Sequence, residues 1–105
     1  MHSYRLSTSA ELDLEDILQY TFEHFGQSQM LRYNAGLISC LEAMTQDSPF
    51  GQYKRFQRNG KFIRSLHCQK HYIFALEQED APLTIIALLH EKMDLITRLK
   101  SRLAR

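Results

Sequence analysis

The chain has 105 residues, 44% hydrophobic and 24% charged, with a formal net charge of +1. That composition describes one ordinary globular domain with room for a single modest core. It excludes a disordered tail, since Pro and Gly together number six, and a membrane span, since no apolar run approaches about 20 residues. The first residues, MHSYRLSTSAELD, lack the apolar core of a signal peptide. The expected location is the cytosol, where Cys40 and Cys68 would stand as reduced thiols and not as a bridge.

In chain order, HSYRLS alternates, with Tyr4 and Leu6 on one side, and reads as a short strand. Thr8-Ser-Ala-Glu11 has the form of a capping box, with Thr8 as the cap. Leu14, Ile17, Leu18, Thr21 and Phe25 follow at helical spacing, and Gly26 is the stop. A second helix from about Ser28 carries Met30, Tyr33, Leu37, Leu41 and Met44 on one stripe, and Asp-Ser-Pro-Phe-Gly at 47–51 ends it. With so short a loop between them, the two stripes should face each other as an antiparallel hairpin.

The period then changes. KFIRSLHC alternates, HYIFALEQ is rich in strand formers, and LTIIALL is apolar on both faces, as a central strand should be. From Met93 the helical period returns, with Met93, Ile96, Leu99 and Leu103 on one side. The order β-α-α-β-β-β-α predicts a single α+β domain over 1–105. It has an N-terminal strand, an antiparallel helical hairpin on a four-stranded, mostly antiparallel sheet, and a short C-terminal helix.

The near-neutral total hides a segregation of charge. Residues 1–47 hold seven acids and two bases, whereas 48–76 hold no acid and six bases: Lys54, Arg55, Arg58, Lys61, Arg64 and Lys70. Such a span suits an anionic partner, or serves as a solvated strand edge kept from aggregating by Lys and Arg. The last eleven residues, LITRLKSRLAR, add four bases and no acid.

Two short clusters have the look of chemistry. His90-Glu91-x-x-Asp94 is close to a zinc-protease signature, but its second histidine is an aspartate and no third ligand follows. His67-Cys68-Gln-Lys-His71 offers only three soft ligands, beside a lysine. Neither makes a metal centre, and no cofactor is expected. His90, His67 or His71, aided by Arg64, has the chemistry for acid–base work on RNA, which needs a base, an acid and cations on the phosphate. For His90 the plainer reading is structural: it stands where a strand ends and caps loose backbone groups, while Asp94 opposes the dipole of the last helix.

One combination of residues is more specific. Tyr4-Arg-Leu-Ser7, Ala10-x-x-Asp13-Leu14-x-x-Ile17-x-x-Tyr20, Phe25-Gly26, Tyr33-x-x-x-Leu37, Pro49-x-Gly51 and Ile85-Ile86-x-x-Leu89-His90-x-x-Met93-Asp94 together resemble the ParE toxins of the RelE/ParE superfamily. The resemblance runs almost end to end, and its most specific part is Leu-His-x-x-Met-Asp. It implies the toxin of a type II toxin–antitoxin module of the plasmid-stabilising kind, silenced by a cognate antitoxin that also binds DNA. It implies DNA gyrase as target and no small-molecule substrate or membrane. The alternative is a ribosome-dependent mRNA endoribonuclease of RelE type, for which His90 and Arg64 would be catalytic. A third possibility is a remnant that binds antitoxin and harms nothing. The residues expected to meet target or antitoxin are Arg55, Arg58, Lys61, Arg64, Ile96, Leu99 and Arg102. The chain departs from the usual pattern in its long basic segment after Gly51, in Phe74-Ala75-Leu76, and in its longer basic tail.

Overall fold

The computed structural model of the chain describes residues 3–46 and 53–104. The helix-ending turn expected at 47–51, and with it Pro49 and Gly51, lies outside the described residues. The elements are β1 (Tyr4–Leu6), α1 (Thr8–Ala43), β2 (Lys54–Arg58), β3 (Lys61–Cys68), β4 (His71–Leu76), β5 (Leu83–His90) and α2 (Leu95–Leu103). The expected strands and helices are present, and a fifth strand joins them.

Helix α1 starts one residue earlier than its sequence signature suggests. Ser7, not Thr8, is the N-cap, and its side chain accepts from the Ala10 N–H. The reason is tertiary. Ser7 N donates to the Ile85 carbonyl at 2.9 Å, so Ser7 is held extended directly after β1 and the helix must begin immediately after it. Gly26 interrupts α1 with φ 86° and ψ 175°, a conformation that costs glycine little and other residues much. It divides α1 into two arms.

The sheet order is β1-β5-β4-β3-β2, with β1 parallel to β5 and every other pair antiparallel. The first arm follows β5 in direction: Ser7 meets Ile85 and Asp13 meets Leu88. The second arm runs against β3, since Tyr33 meets Gln69 and Met44 meets Arg64. Strands β3 and β5 point the same way, so the arms are antiparallel and form the expected hairpin. Ala10, Ile17, Leu37, Leu41 and Met44 bury against Leu66, Ile73, Ile85 and Leu88 on that face. On the other face Leu99 and Leu103 of α2 pack on Ile63, Phe74, Ile86, Ala87 and Leu89.

The fifth strand, β2, was not expected. Lys-Arg-Phe-Gln-Arg has only Phe56 as an apolar residue, so it shows almost no hydrophobic period. Its signal is the turn that follows. Asn59 and Gly60 have φ of 54° and 73°, and Asn-Gly is the strongest two-residue hairpin turn. Strand β2 forms one edge of the sheet, and its charges suit that position.

The expectation of two free thiols is corrected: Cys40 and Cys68 are bonded, with their Cα atoms 6.3 Å apart. The fold brings the inward side of the second arm against the end of β3, within the span a disulfide bridges without backbone movement. Among the described residues, no helix is long and apolar enough to cross a membrane.

Candidate partner-binding surface

Five of the six bases of the acid-free span, Lys54, Arg55, Arg58, Lys61 and Arg64, lie on the β2–β3 hairpin, and the register sorts its charges by face. Arg55 and Arg64 are cross-strand partners on the face of the helical arms. Both reach Glu77, Arg55 through two hydrogen bonds of 2.8 Å and Arg64 through one of 2.7 Å. Arg64 also donates to the Met44 carbonyl at the end of the second arm. Hydrogen bonds from Arg55, and after them from Arg64, hold the Glu77 carboxyl down at about 2. Arg55 lies over the Phe62 ring at 3.8 Å and Arg64 over that of Tyr53 at 4.7 Å. Glu77 lies just beyond the acid-free span, and it organises two of the six bases within it.

Arg58 and Lys61 flank the Asn59–Gly60 turn as a cross-strand pair. They project on the α2 face, and Lys61 is exposed. Their like charges lie directly opposite each other, which favours an anionic neighbour.

The last helix is placed one step away from its expected stripe. Asp94 is its N-cap and accepts from Thr97 N–H at 3.2 Å and Thr97 Oγ1 at 2.8 Å. Hydrogen bonding by Thr97 lowers the Asp94 pKa. Met93 therefore lies outside the helix, and the inward stripe is Leu99 and Leu103, both buried, with Leu95 partly buried beside them. Met93 and Ile96 are exposed, 45% and 62%. Of the expected contact residues on α2, Ile96 faces solvent, Leu99 is in the core, and Arg102 is engaged within the fold.

Arg102 is held by Asp13, a residue with no role beyond the pattern in the sequence reading. The guanidinium donates to both Asp13 oxygens at 2.8 and 2.9 Å and to the Ile86 carbonyl at 2.8 Å. Asp13 also accepts the Leu88 N–H at 3.0 Å. These two side chains satisfy the edge of β5 beyond the point where the three-residue β1 ends. A bulge opposite Phe74 and Ala75 puts Ile86 and Leu88 on that edge. No local signal could have revealed a pair 89 positions apart.

A third neighbourhood lies at the far end of the sheet. Tyr33 Oη is 2.5 Å from His71 Nδ1 and accepts the Lys70 N–H, which leaves its own proton for the imidazole. Burial, and next the adjacent His90 ring, push His71 down to about 4, so the ring is neutral near pH 7. His90 stacks edge-on against His71 at 5.2 Å, and its Nδ1 accepts the Lys92 N–H at 3.1 Å, the end-of-strand capping expected of it. His67 lies on the opposite face, stacked on Tyr72 and 3.4 Å from Glu91.

The two residues named for RNA cleavage are not brought together. Arg64 pairs with Ala75 and His90 with His71. Those β4 positions are four residues apart, about 13 Å along the strand.

An α+β domain of this order, with a helical hairpin on one face, a short helix on the other and a basic edge hairpin, has the layout implied by the RelE/ParE resemblance. The family model described as "ParE toxin of type II toxin-antitoxin system, parDE" matches residues 4–95. The chain belongs to the ParE toxin family of type II toxin–antitoxin systems. It is similar to a Toxin ParE of Escherichia coli, 36% identical over 103 residues, covering 98% of each chain. Its fold is similar to a solved chain of the "Chromosomal ParDE TA system from P. aeruginosa". The TM-score is 0.69 at 15% identity, covering 86% of this chain and 96% of that one.

Proposed function

We propose that this ParE-family toxin acts in the cytoplasm by protein–protein contact with DNA gyrase, and that a cognate antitoxin neutralises it while carrying the complex to DNA. The observation behind the choice of contact over RNA cleavage is the separation of Arg64 from His90. Arg64 is tied to Glu77 and the Met44 carbonyl, and His90 has one ring nitrogen engaged by the Lys92 N–H. A general base and a phosphate-binding cation on strands either side of β4, offset by about 13 Å along the sheet, do not serve one scissile bond. The antitoxin segment is expected to be acidic and to cross the β2–β3 hairpin near Arg58 and Lys61, so that opposite charge speeds association.

Induction of the chain without its neighbouring reading frame tests the target. DNA damage and filamentation are expected, with loss of gyrase supercoiling by the purified chain. Early translation arrest with mRNA cleavage in a ribosome assay would overturn the reading. The antitoxin part is tested by co-expression: the product of the adjacent small frame should co-purify at moderate salt, and its failure to do so would count against the pairing.

A further inference from the structure

The Cys40–Cys68 bond encloses a particular part of the molecule. Cys40 is on the second arm of α1 and Cys68 is the last residue of β3. The two cysteines are 28 positions apart, and the stretch they enclose holds β2, the turn after it and β3 up to the bond, including Arg55, Arg58, Lys61 and Arg64. Strand β2 has β3 as its only strand neighbour among the described residues. The hairpin thus hangs from the sheet by β3, and the bond fixes the end of β3 to the helical layer. At that end Gln69 Nε2 also donates to the Tyr33 carbonyl, Lys70 N–H to the Tyr33 hydroxyl, and the Tyr33 hydroxyl to His71 Nδ1, while further along β3 Arg64 donates to the Met44 carbonyl. Cys68 is buried, 2% exposed, whereas Cys40 is partly open to solvent.

We propose that Cys40 and Cys68 form a redox clasp that governs how firmly the basic hairpin is anchored. Its chemical partner is a small thiol and its disulfide, of the glutathione class. In closing, the Cys40 thiolate attacks one sulfur of the small disulfide and releases one small thiol. The Cys68 thiolate then attacks Cys40 Sγ in the mixed disulfide and releases the second. Two protein thiols are oxidised, one small disulfide is reduced to two thiols, and the protons pass to the leaving thiolates. Opening is the reverse, starting at the accessible Cys40. The clasp borrows only the cytoplasmic setting from the proposed function, and its test does not involve gyrase or antitoxin.

The test is a titration of the purified full-length chain in mixtures of reduced and oxidised glutathione. Thiols are counted by alkylation and mass, with thermal melting and amide exchange alongside. The pair is expected to open and close reversibly as the ratio changes. The open form should keep its helical circular dichroism, melt roughly 10–20 °C lower, and exchange the amides of Lys54–Arg58 about tenfold faster or more. The double variant Cys40→Ser with Cys68→Ala should match the open form at every ratio. If that variant does not fold, the wild-type titration still decides. Three results would overturn the proposal: a pair that stays closed in roughly hundredfold excess of reduced glutathione, a pair that never closes, or opening that leaves exchange at Lys54–Arg58 unchanged.

Discussion

Replacing Asp13 with alanine is expected to be among the most damaging single changes on the surface of the helical arms. Its carboxylate accepts three hydrogen bonds of 2.8 to 3.0 Å, two from Arg102 and one from the Leu88 backbone. Its side chain is 16% exposed and that of Arg102 18%, so water replaces these bonds poorly. Removing one partner of a fully buried pair costs about 3–5 kcal/mol, and an orphaned backbone N–H adds about 1 kcal/mol. The residual exposure lowers the first figure, which leaves roughly 3 kcal/mol for Asp13→Ala. In a domain of this size that is a fall in Tm of roughly 10–20 °C. Asp13→Asn keeps an acceptor for Leu88 but loses the charge, and should cost about half as much. Chemical denaturation of the wild type, Asp13→Ala, Arg102→Ala and the double variant forms a complete cycle, with an expected coupling of about 1.5–3 kcal/mol. Asp13→Ala within about 0.5 kcal/mol of wild type, the range of ordinary surface changes, would refute the argument that this pair closes the edge of β5.

Acid should destabilise the fold in two windows. Below pH 6.5 the unfolded chain protonates His71 while the folded ring stays neutral down to about 4, so stability falls as pH drops through that range. Glu77 acts from 4.5 down to about 2, where the folded carboxylate resists protonation and its contribution is lost as pH falls. Melting curves of His71→Gln and Glu77→Gln should each flatten their own window and leave the other. On α2, Leu99→Ala should cost about 2–4 kcal/mol as a cavity, whereas Ile96→Ser should change stability by less than about 0.5 kcal/mol. A loss of toxicity in Ile96→Ser with normal melting would mark it as a contact residue, and full toxicity would remove it from the surface. His90→Gln retains an acceptor for Lys92 N–H but cannot titrate, so toxicity should persist. A fall of about a hundredfold or more in mRNA cleavage by a folded variant would refute the non-enzymatic reading.

The parts of the fold that were legible in sequence are those written in short-range period. The two arms and strand β3 bury sides that recur at a fixed spacing, Gly26 marks the break between the arms, and β4 and β5 stand out as short runs of strand formers. Strand β2 escaped because a charged edge strand has little to bury, although Asn59-Gly60 marked the turn beyond it. The stripe of α2 differs from the apolar spacing through Met93 because Asp94 caps the helix and the inward positions start at Leu95. At the surface, charge segregation pointed to the basic hairpin. It did not reveal that Glu77, outside the span, holds Arg55 and Arg64. Long-range pairs such as Cys40 with Cys68 and Asp13 with Arg102 leave no local trace, because only the fold sets their distance.

Strand β5 explains why the C-terminal helix resists a simple division into structure and function. Leu83 through Leu89 are all buried, so the strand serves both cores and its backbone needs partners on both edges. β4 supplies one edge, but β1 covers the other only as far as Ile85. The remaining edge is closed by Asp13 from one helical layer and Arg102 from the other. The helix that carries Arg102 is therefore part of the closure of the sheet, and removing residues 97–105 would open that edge along with the Leu99 and Leu103 packing. A truncation that abolishes toxicity would not distinguish lost contact from lost structure. Side chains on the outer side of α2, Ile96, Arg98 and Lys100, are exposed and lie apart from this closure. Substitutions there are the ones whose effect on toxicity reports on a partner.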